Sequence, residues 1–280
     1  MSDLLVPPCG YKGGKRRFAK AIAAEIRSHR PRTIYDVGAG SGAVSLALLA
    51  GGWEASRLTL VEAGPWGLFW AAAAAGTLDV SRIEALLRDE IPDDPRAVKA
   101  WVEDLAASGD RSPETFLVLQ AAAFGSEAVW HDGTQWRRGS SQTVRRYSAR
   151  GYWEPGPTSK ESKPRGTIFT PNKIVERARQ AAAAILGAHV LHCDVSSVTF
   201  GPGLVYVDPD YTGTSGYGWS MDVPSILERA RGPVIVSEQE PRHHPDRVVA
   251  LGNRKGGSLI GRGTARGREL LLTWNEVPHE

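Results

Sequence analysis

Short apolar runs separated by polar turns recur along the chain, and they predict the strands of a buried sheet. The predicted strands occupy residues 33–37, 58–62, 188–195, 204–207, 233–238 and 269–274. Between most of them, segments with helical character lie at 18–26, 45–49, 65–75, 80–87, 96–105, 114–123 and 172–186. Strands that alternate with helices are typical of an α/β fold with an open sheet. Within the helix at 65–75, Trp66, Phe69 and Trp70 are predicted to belong to the core.

The strand at 204–207 ends in an acid and a proline, Asp208 and Pro209, and Tyr211 follows. Proline makes this turn rigid, and ligands of open α/β sheets bind beyond the carboxyl ends of the strands. A flat ring can stack on Tyr211 there while Asp208 accepts a hydrogen bond from its exocyclic amine. The alternative is an ordinary Asp-Pro turn at the end of a strand.

A glycine-rich turn follows the first strand, in the order Asp36, Gly38, Gly40 and Gly42, and leads into a helix. Such glycines let the backbone pass under a nucleoside-like ligand. The spacing differs from the dinucleotide fingerprint, and an acid before the glycines suits a cationic group better than a pyrophosphate. The second strand ends in Glu62, an acid of the kind that binds a ribose diol. Together these features predict a Rossmann-like sheet that binds a nucleoside.

Two other segments are candidates for the same site. The loop Gly13-Gly14-Lys15 precedes the first helix, where backbone N–H groups and the helix dipole favour an anion or carboxylate. It lacks the spacing of a Walker A loop. Asp194 lies after the apolar part of the run at 188–195, where it either lies beside the base of the ligand or caps a turn.

Residues 124–171 differ in composition from the rest, with arginines among aromatic and small polar residues. A hairpin is predicted at 130–138 with Asp132-Gly133 as its turn. Arginines beside aromatic residues suit phosphate and base-edge contacts, although a surface hairpin with a flexible loop is the alternative. The candidate nucleic-acid contacts are Arg137, Arg138, Arg145, Arg146, Tyr152 and Lys160. The glycine- and arginine-rich stretches 252–257 and 261–268 are predicted to be mobile until a partner binds.

Composition adds limits on partners and location. The net charge is only +3, but the basic residues are clustered, which favours a polyanionic partner. Cys9 and Cys193 are too few for a disulfide framework or a metal site, and the seven histidines show no metal-ligand spacing. No signal peptide or bilayer-length apolar segment is visible. We therefore expect a cytoplasmic protein that uses neither metal nor membrane.

The order of these elements resembles that of the Dam-type DNA adenine methyltransferases, especially compact phage-borne members. The family's Gly-Gly-Lys element matches residues 13–15, its cofactor loop matches 36–42 and its ribose-binding acid matches Glu62. Its catalytic Asp-Pro-Pro-Tyr turn matches residues 208–211, except that Asp210 replaces the second proline. The resemblance extends over nearly the whole chain.

The resemblance implies transfer of a methyl group from S-adenosylmethionine to the N6 amine of adenine in double-stranded DNA, after the base is flipped out. It divides the chain into a catalytic domain, residues 1–113 and 172–280, and an inserted target-recognition region, residues 114–171. The implied protein is a monomer or weak dimer in the cytoplasm of a bacterium or phage-infected host. The resemblance assigns catalysis to Asp208, Pro209 and Tyr211. It assigns cofactor binding to Tyr11, Lys15, Asp36, Gly38, Gly40, Ser41, Glu62, Asp194 and Asp208.

Three other functions remain open. The same chemistry can methylate RNA or another amine. A catalytically impaired relative would bind nucleic acid without transferring a methyl group. A nicotinamide-dependent oxidoreductase would need a dinucleotide fingerprint and a proton donor, and the sequence arranges neither.

Overall fold

The computed structural model describes residues 5–11, 13–93, 95–123, 126–138, 171–209, 221–253 and 268–275. Within these ranges, nine strands form a seven-stranded central sheet and a separate hairpin. The strands are β1 (Ile34–Val37), β2 (Leu58–Val61), β3 (Val129–His131), β4 (Trp136–Arg138), β5 (His189–Leu191), β6 (Leu204–Val207), β7 (Val234–Glu238), β8 (Arg247–Asn253) and β9 (Arg268–Trp274). The helices are α1 (Ala19–Ser28), α2 (Ala43–Ala50), α3 (Pro65–Ala74), α4 (Val80–Arg88), α5 (Pro95–Ala107), α6 (Pro113–Ala122), α7 (Pro171–Ile185) and α8 (Val223–Arg229).

The central sheet has the strand order β5-β2-β1-β6-β7-β9-β8. Its first five strands pair in parallel, and β9 runs antiparallel to both β7 and β8. The predicted α/β fold is therefore confirmed, with a mostly parallel sheet. A dinucleotide-binding Rossmann sheet has a further parallel strand where this sheet has an antiparallel pair.

Strand direction determines which residues meet at one edge of the sheet. The carboxyl ends of β1, β2 and β6 are adjacent because these strands pair in parallel and in register. Because β9 is antiparallel, its first residues lie at this same edge. The edge thus combines residues that are far apart in the sequence.

In the described part of the chain, two apolar clusters pack around the sheet. The larger one contains residues from α1 to α7, including Trp66, Phe69 and Trp70, which are fully or almost fully buried. The predicted core positions in α3 are therefore confirmed. The smaller cluster joins Phe200 and residues of β6, β7 and β9 to Ile226 of α8. Burial of this apolar surface is the dominant stabilising contribution to the fold.

The β3–β4 hairpin is fixed to the core by specific contacts, and its prediction is confirmed. Trp136 is buried, and its indole Nε1 donates to the carbonyl of Asp110 at 2.7 Å. The side chain of Gln120 in α6 accepts from Val129 N at 3.1 Å and donates to the carbonyl of Glu127 at 2.9 Å. The predicted boundary of the inserted region stays a prediction, because residues 139–170 lie outside the described part of the chain.

Within the described ranges, no helix combines the length and apolar character that a bilayer-spanning segment requires.

Candidate active site at the carboxyl edge of the sheet

The turns after β1 and β6 touch each other. Asp208 N, after β6, donates to the carbonyl of Val37 at 2.9 Å, and Gly38 N donates to the carbonyl of Val61 at 2.9 Å. A Cβ atom placed on Gly38 would lie 2.7 Å from the carbonyl oxygen of Asp208. Gly38 also has a positive φ of 71°, so both the conformation and the close approach require glycine. The predicted ligand turn and the predicted catalytic turn therefore form one surface.

The glycine-rich turn is held by two side chains from outside it. The Glu62 carboxylate accepts from Gly40 N at 2.7 Å and from Gly64 N at 2.8 Å. The indole of Trp70 donates to the carbonyl of Gly40 at 2.8 Å. Gly42, with φ 71°, begins α2 and lies so close to Trp70 that an added Cβ would be 2.4 Å from the ring. These contacts fix the backbone conformation of the turn.

Asp36 is buried beneath this turn. Its side chain accepts from the hydroxyl of Ser45 in α2 at 2.5 Å. Burial raises the pKa of Asp36 to about 7, and the nearby Asp208 and Glu62 carboxylates contribute in the same direction. Burial also raises the pKa of Glu62, although the N–H groups of Gly40 and Gly64 oppose that rise. Burial thus disfavours the ionised form of both acids, and a nearby cation would stabilise that form.

The N-terminal loop brings a buried cation to the site. The side chain of Lys15 is 3% exposed, and its ammonium binds Oδ1 of Asp208. It also lies 3.7 Å from Oε1 of Glu269, at the start of β9. Both carboxylates belong to elements that are distant in sequence from the loop, so Lys15 ties the loop to two strands of the sheet.

Tyr11 and Ser41 lie where this loop meets the glycine-rich turn. A Cβ atom on Gly40 would be 3.0 Å from the ring of Tyr11, and one on Gly14 would be 3.3 Å from Oγ of Ser41. The Tyr11 ring also packs edge-on against Trp66, with a centroid distance of 6.0 Å. The two glycine-containing segments are therefore in close contact.

Sequence reasoning missed three polar residues at this site. Ser45 is the one polar residue in the apolar helix α2, and this exception in the sequence could have identified it as a candidate site residue. The hydroxyl of Tyr206 lies 2.7 Å from that of Ser237 on the neighbouring strand, and burial raises the pKa of Tyr206. Glu269 is an acid in a buried strand, but its position at the ligand edge follows only from the reversed direction of β9.

The site has an excess of acidic groups. Within the described part of the chain, the carboxylates of Asp208 and Glu269 pair with the Lys15 ammonium, and Asp36 and Glu62 lie near enough to Asp208 for its negative charge to raise their pKa values. Such a set attracts a cationic or hydroxyl-bearing ligand and repels a pyrophosphate. The described residues contain no cluster of three or more His, Cys, Asp or Glu side chains arranged for a metal ion.

Asp194 makes the turn-capping contact that was one of its two predicted roles. It is the N-cap of a short 3₁₀ helix, and its Oδ1 accepts from Ser196 N at 2.8 Å. This backbone hydrogen bond lowers the pKa of Asp194. Its role in cofactor binding stays a prediction.

Of the predicted nucleic-acid contacts, Arg137 and Arg138 lie within the described residues. Arg137 Nε binds Oδ2 of Asp132 at 2.5 Å, and Arg138 Nε lies 3.9 Å from the Glu127 carboxylate. Both arginines thus have acidic partners within or beside the hairpin. The others lie outside the described ranges: Arg145, Arg146, Tyr152, Lys160 and the catalytic candidate Tyr211.

No protein-family model matches the chain, and no curated protein shows significant sequence similarity to it.

Proposed function

We propose that the protein is a DNA methyltransferase that transfers a methyl group from S-adenosylmethionine to the N6 amine of adenine. The observation that carries this proposal is the contact between the glycine-rich turn and the Asp208 turn, where Gly38 leaves no room for a Cβ atom. Direct transfer requires the methyl donor and the accepting amine to be adjacent and aligned. Two touching turns, each suited to one of these groups, meet that requirement.

The residues of the glycine-rich turn fit a sulfonium-bearing nucleoside. Glycines with positive φ at positions 38, 40 and 42 expose the backbone to a ligand. Glu62 is fixed by two backbone N–H groups, and its remaining lone pairs are suited to the hydroxyls of a ribose. Asp36, whose pKa is raised by burial, favours a positively charged neighbour. When bound, S-adenosylmethionine supplies an activated methyl group on a sulfonium centre.

Asp208 and Pro209 are suited to orient the accepting amine. The Asp208 carboxylate and the Pro209 carbonyl accept the two N–H hydrogens, so the nitrogen lone pair points toward the methyl group. Fixed acceptors of this kind act by positioning and by electrostatic stabilisation of the positive charge that develops on nitrogen. Tyr211 is proposed to stack on the base, which must leave the duplex to reach the site.

The sheet and the charge of the site argue against a nicotinamide-dependent oxidoreductase. The antiparallel β9 stands where a dinucleotide-binding sheet has another parallel strand. The acidic side chains near the glycine-rich turn disfavour a pyrophosphate. Clustered arginines in residues 137–150 support DNA as the methyl acceptor.

The experiment is transfer of labelled methyl from S-adenosylmethionine to unmethylated duplex DNA, followed by nucleoside analysis. We expect label in N6-methyladenine. The same duplex synthesised with N6-methyladenine in place of adenine is the matched control and should take up none. Label in RNA alone would favour the RNA alternative, and no transfer by protein that binds the cofactor would overturn the proposal.

A further inference from the structure

The Lys15 ammonium lies between two carboxylates that differ in access to ligands. Its partner Asp208 is 19% exposed, whereas Glu269, 3.7 Å away, is completely buried. Lys15 itself is 3% exposed. Asp208 therefore faces the ligand edge, while Glu269 is enclosed by the sheet and the N-terminal loop.

A target amine that donates to Oδ1 of Asp208 competes with the Lys15 ammonium for that oxygen. Both groups are hydrogen-bond donors, and the Asp208 Oδ1 atom already binds Lys15. A buried ammonium that loses its counterion is strongly destabilised, so Lys15 needs a second carboxylate when Asp208 binds substrate. Glu269 is close enough for this purpose, because a shift of about 1 Å brings the ammonium into hydrogen-bonding range of it.

We propose that Glu269 is a positioning residue that takes the Lys15 ammonium when the target amine binds Asp208. This inference rests on the proposed function for the role of Asp208, and it assigns Glu269 no contact with substrate. Lys15 on Asp208 blocks the catalytic turn, and Lys15 on Glu269 opens it. The buried acid in β9 thereby becomes part of substrate binding.

A thermodynamic cycle tests the shared ammonium without any substrate. The variants are Lys15→Met, Glu269→Gln and their combination, made in the wild-type and Asp208→Asn backgrounds and unfolded in urea. With Asp208 neutral, Lys15 should rely on Glu269, and the Lys15–Glu269 coupling should grow about fivefold or more in the unfolding equilibrium constant. An unchanged or absent coupling overturns the inference.

Thr273→Val is the matched control in the same cycle. Thr273 is fully buried on the same face of β9, four residues from Glu269, and should show no coupling to Lys15 in either background.

Should Glu269→Gln fail to fold, a crystal structure of Asp208→Asn gives a second test. Lys15 Nζ within about 3 Å of Glu269 is expected, and Nζ directed away from Glu269 overturns the inference.

Kinetics test the consequence for catalysis. Glu269→Gln should lower kcat/KM for DNA by about tenfold, with the cofactor Kd almost unchanged. Because Lys15 is also a predicted cofactor-binding residue, the double variant is assayed at saturating S-adenosylmethionine. There, adding Lys15→Met should recover kcat/KM for DNA, because the competing ammonium is gone. A double variant no more active than Glu269→Gln overturns the inference, whereas absence of transfer by the wild type overturns only the proposed function.

Discussion

At the scale of single residues, the protonation of Asp36 is set by its surroundings. It is buried under the glycine-rich turn, and burial raises its pKa to about 7. The folded protein therefore binds a proton at Asp36 between about pH 4 and 7 that the unfolded chain releases. Since the folded state binds more protons over this range, the contribution of Asp36 to stability falls as the pH rises. Above about pH 7 Asp36 is ionised in both states, and its burial lowers the free energy of unfolding by its full amount.

We expect Asp36→Asn to stabilise the protein relative to wild type by an amount that grows with pH. The gain should increase by about 1 kcal/mol per pH unit up to about pH 7 and then level off. Urea unfolding of both proteins from pH 5 to 8 measures this difference. A difference that does not change with pH would contradict the raised pKa.

Asp132→Asn is the matched control. Backbone hydrogen bonds from Gln135 and Thr134 hold the pKa of Asp132 well below its usual range. Asp132 is therefore ionised throughout pH 5 to 8, and its replacement should change stability by an amount independent of pH.

Acids at the ends of the predicted parallel strands could be found from sequence because each follows an apolar run directly. Asp36, Glu62 and Asp208 were identified in this way, and the structure brings them to one edge. Glu269 could not be found by the same rule. It begins its strand, and only the antiparallel pairing with β7 brings it to that edge.

At the scale of secondary-structure elements, the sequence predicted the parallel core better than its antiparallel end. Strands β1, β2, β6 and β7 are mostly apolar, which is typical of strands buried on both faces. Strand β8 and helix α8 were not predicted. The stretches at 252–257 and 261–268 were predicted to be mobile until a partner binds, which stays a prediction. Gly252 and Asn253 belong to β8 and Arg268 belongs to β9, and the residues between them lie outside the described ranges.

The physical reason lies in where each element gets its stability. The apolar part of β8 is only Val248 to Leu251, flanked by polar and glycine-rich sequence. Its pairing partner β9 begins at Arg268, after a glycine- and arginine-rich stretch that carries no strand pattern. Gly252, with φ 124°, lies at an irregularity in this pairing. For α8 a local signal did exist: Asp222 caps the helix by accepting from Ser225 N, and Pro224 lies in its first turn.

Two glycines at opposite ends of α2 give a test of the glycine-rich turn. Gly42 and Gly52 have similar positive φ values, 71° and 85°. An added Cβ atom would meet Trp70 at position 42, and it would meet nothing within 4 Å at position 52. Gly52→Ala should therefore cost only backbone strain, about 1 kcal/mol.

Gly42→Ala should cost the same strain and, in addition, roughly 1–3 kcal/mol for displacement of a buried ring. It should also weaken cofactor binding, since Trp70 bonds to the carbonyl of Gly40. Urea unfolding and cofactor titration of the two variants make the comparison. Equal losses of stability would show that the Trp70 contact does not constrain the turn.

At the scale of the whole molecule, the proposed function requires two kinds of surface on one chain. The acidic site lies at the carboxyl edge of the sheet, and the basic residues that would bind DNA follow the β3–β4 hairpin. The hairpin is fixed to α6 through Gln120. Trp136 also donates to the carbonyl of Asp110, which precedes the predicted inserted region. Arg138, at the end of β4, therefore has a defined position beside the core. Arg137 and Arg138 pair with Asp132 and Glu127, which reduces their availability for phosphates.

We expect Arg145→Ala with Arg146→Ala to weaken DNA binding and to reduce its salt dependence. Each lost phosphate contact lowers the slope of log K against log salt by about 1, so the double variant should lose about 2. DNA-binding titrations at several salt concentrations between about 50 and 200 mM measure the slope of log K against log salt. An unchanged slope would remove this pair from the interface.

The control is Arg82→Ala with Arg88→Ala, which removes the same charge from the surface of α4. These arginines pair with Glu90 and Glu84, and exposed pairs of this kind contribute little to stability. The salt slope should stay at the wild-type value.

The most direct test of the central claim separates chemistry from cofactor binding in Asp208→Ala. Methyl transfer to duplex DNA and the calorimetric Kd for S-adenosylmethionine are measured on the same preparations of the variant and the wild type. The account predicts that transfer is abolished while cofactor binding persists, because Asp36, Glu62 and the glycine-rich turn remain in place. Equal loss of transfer and cofactor binding would contradict the role proposed for Asp208 as the acceptor of the target amine.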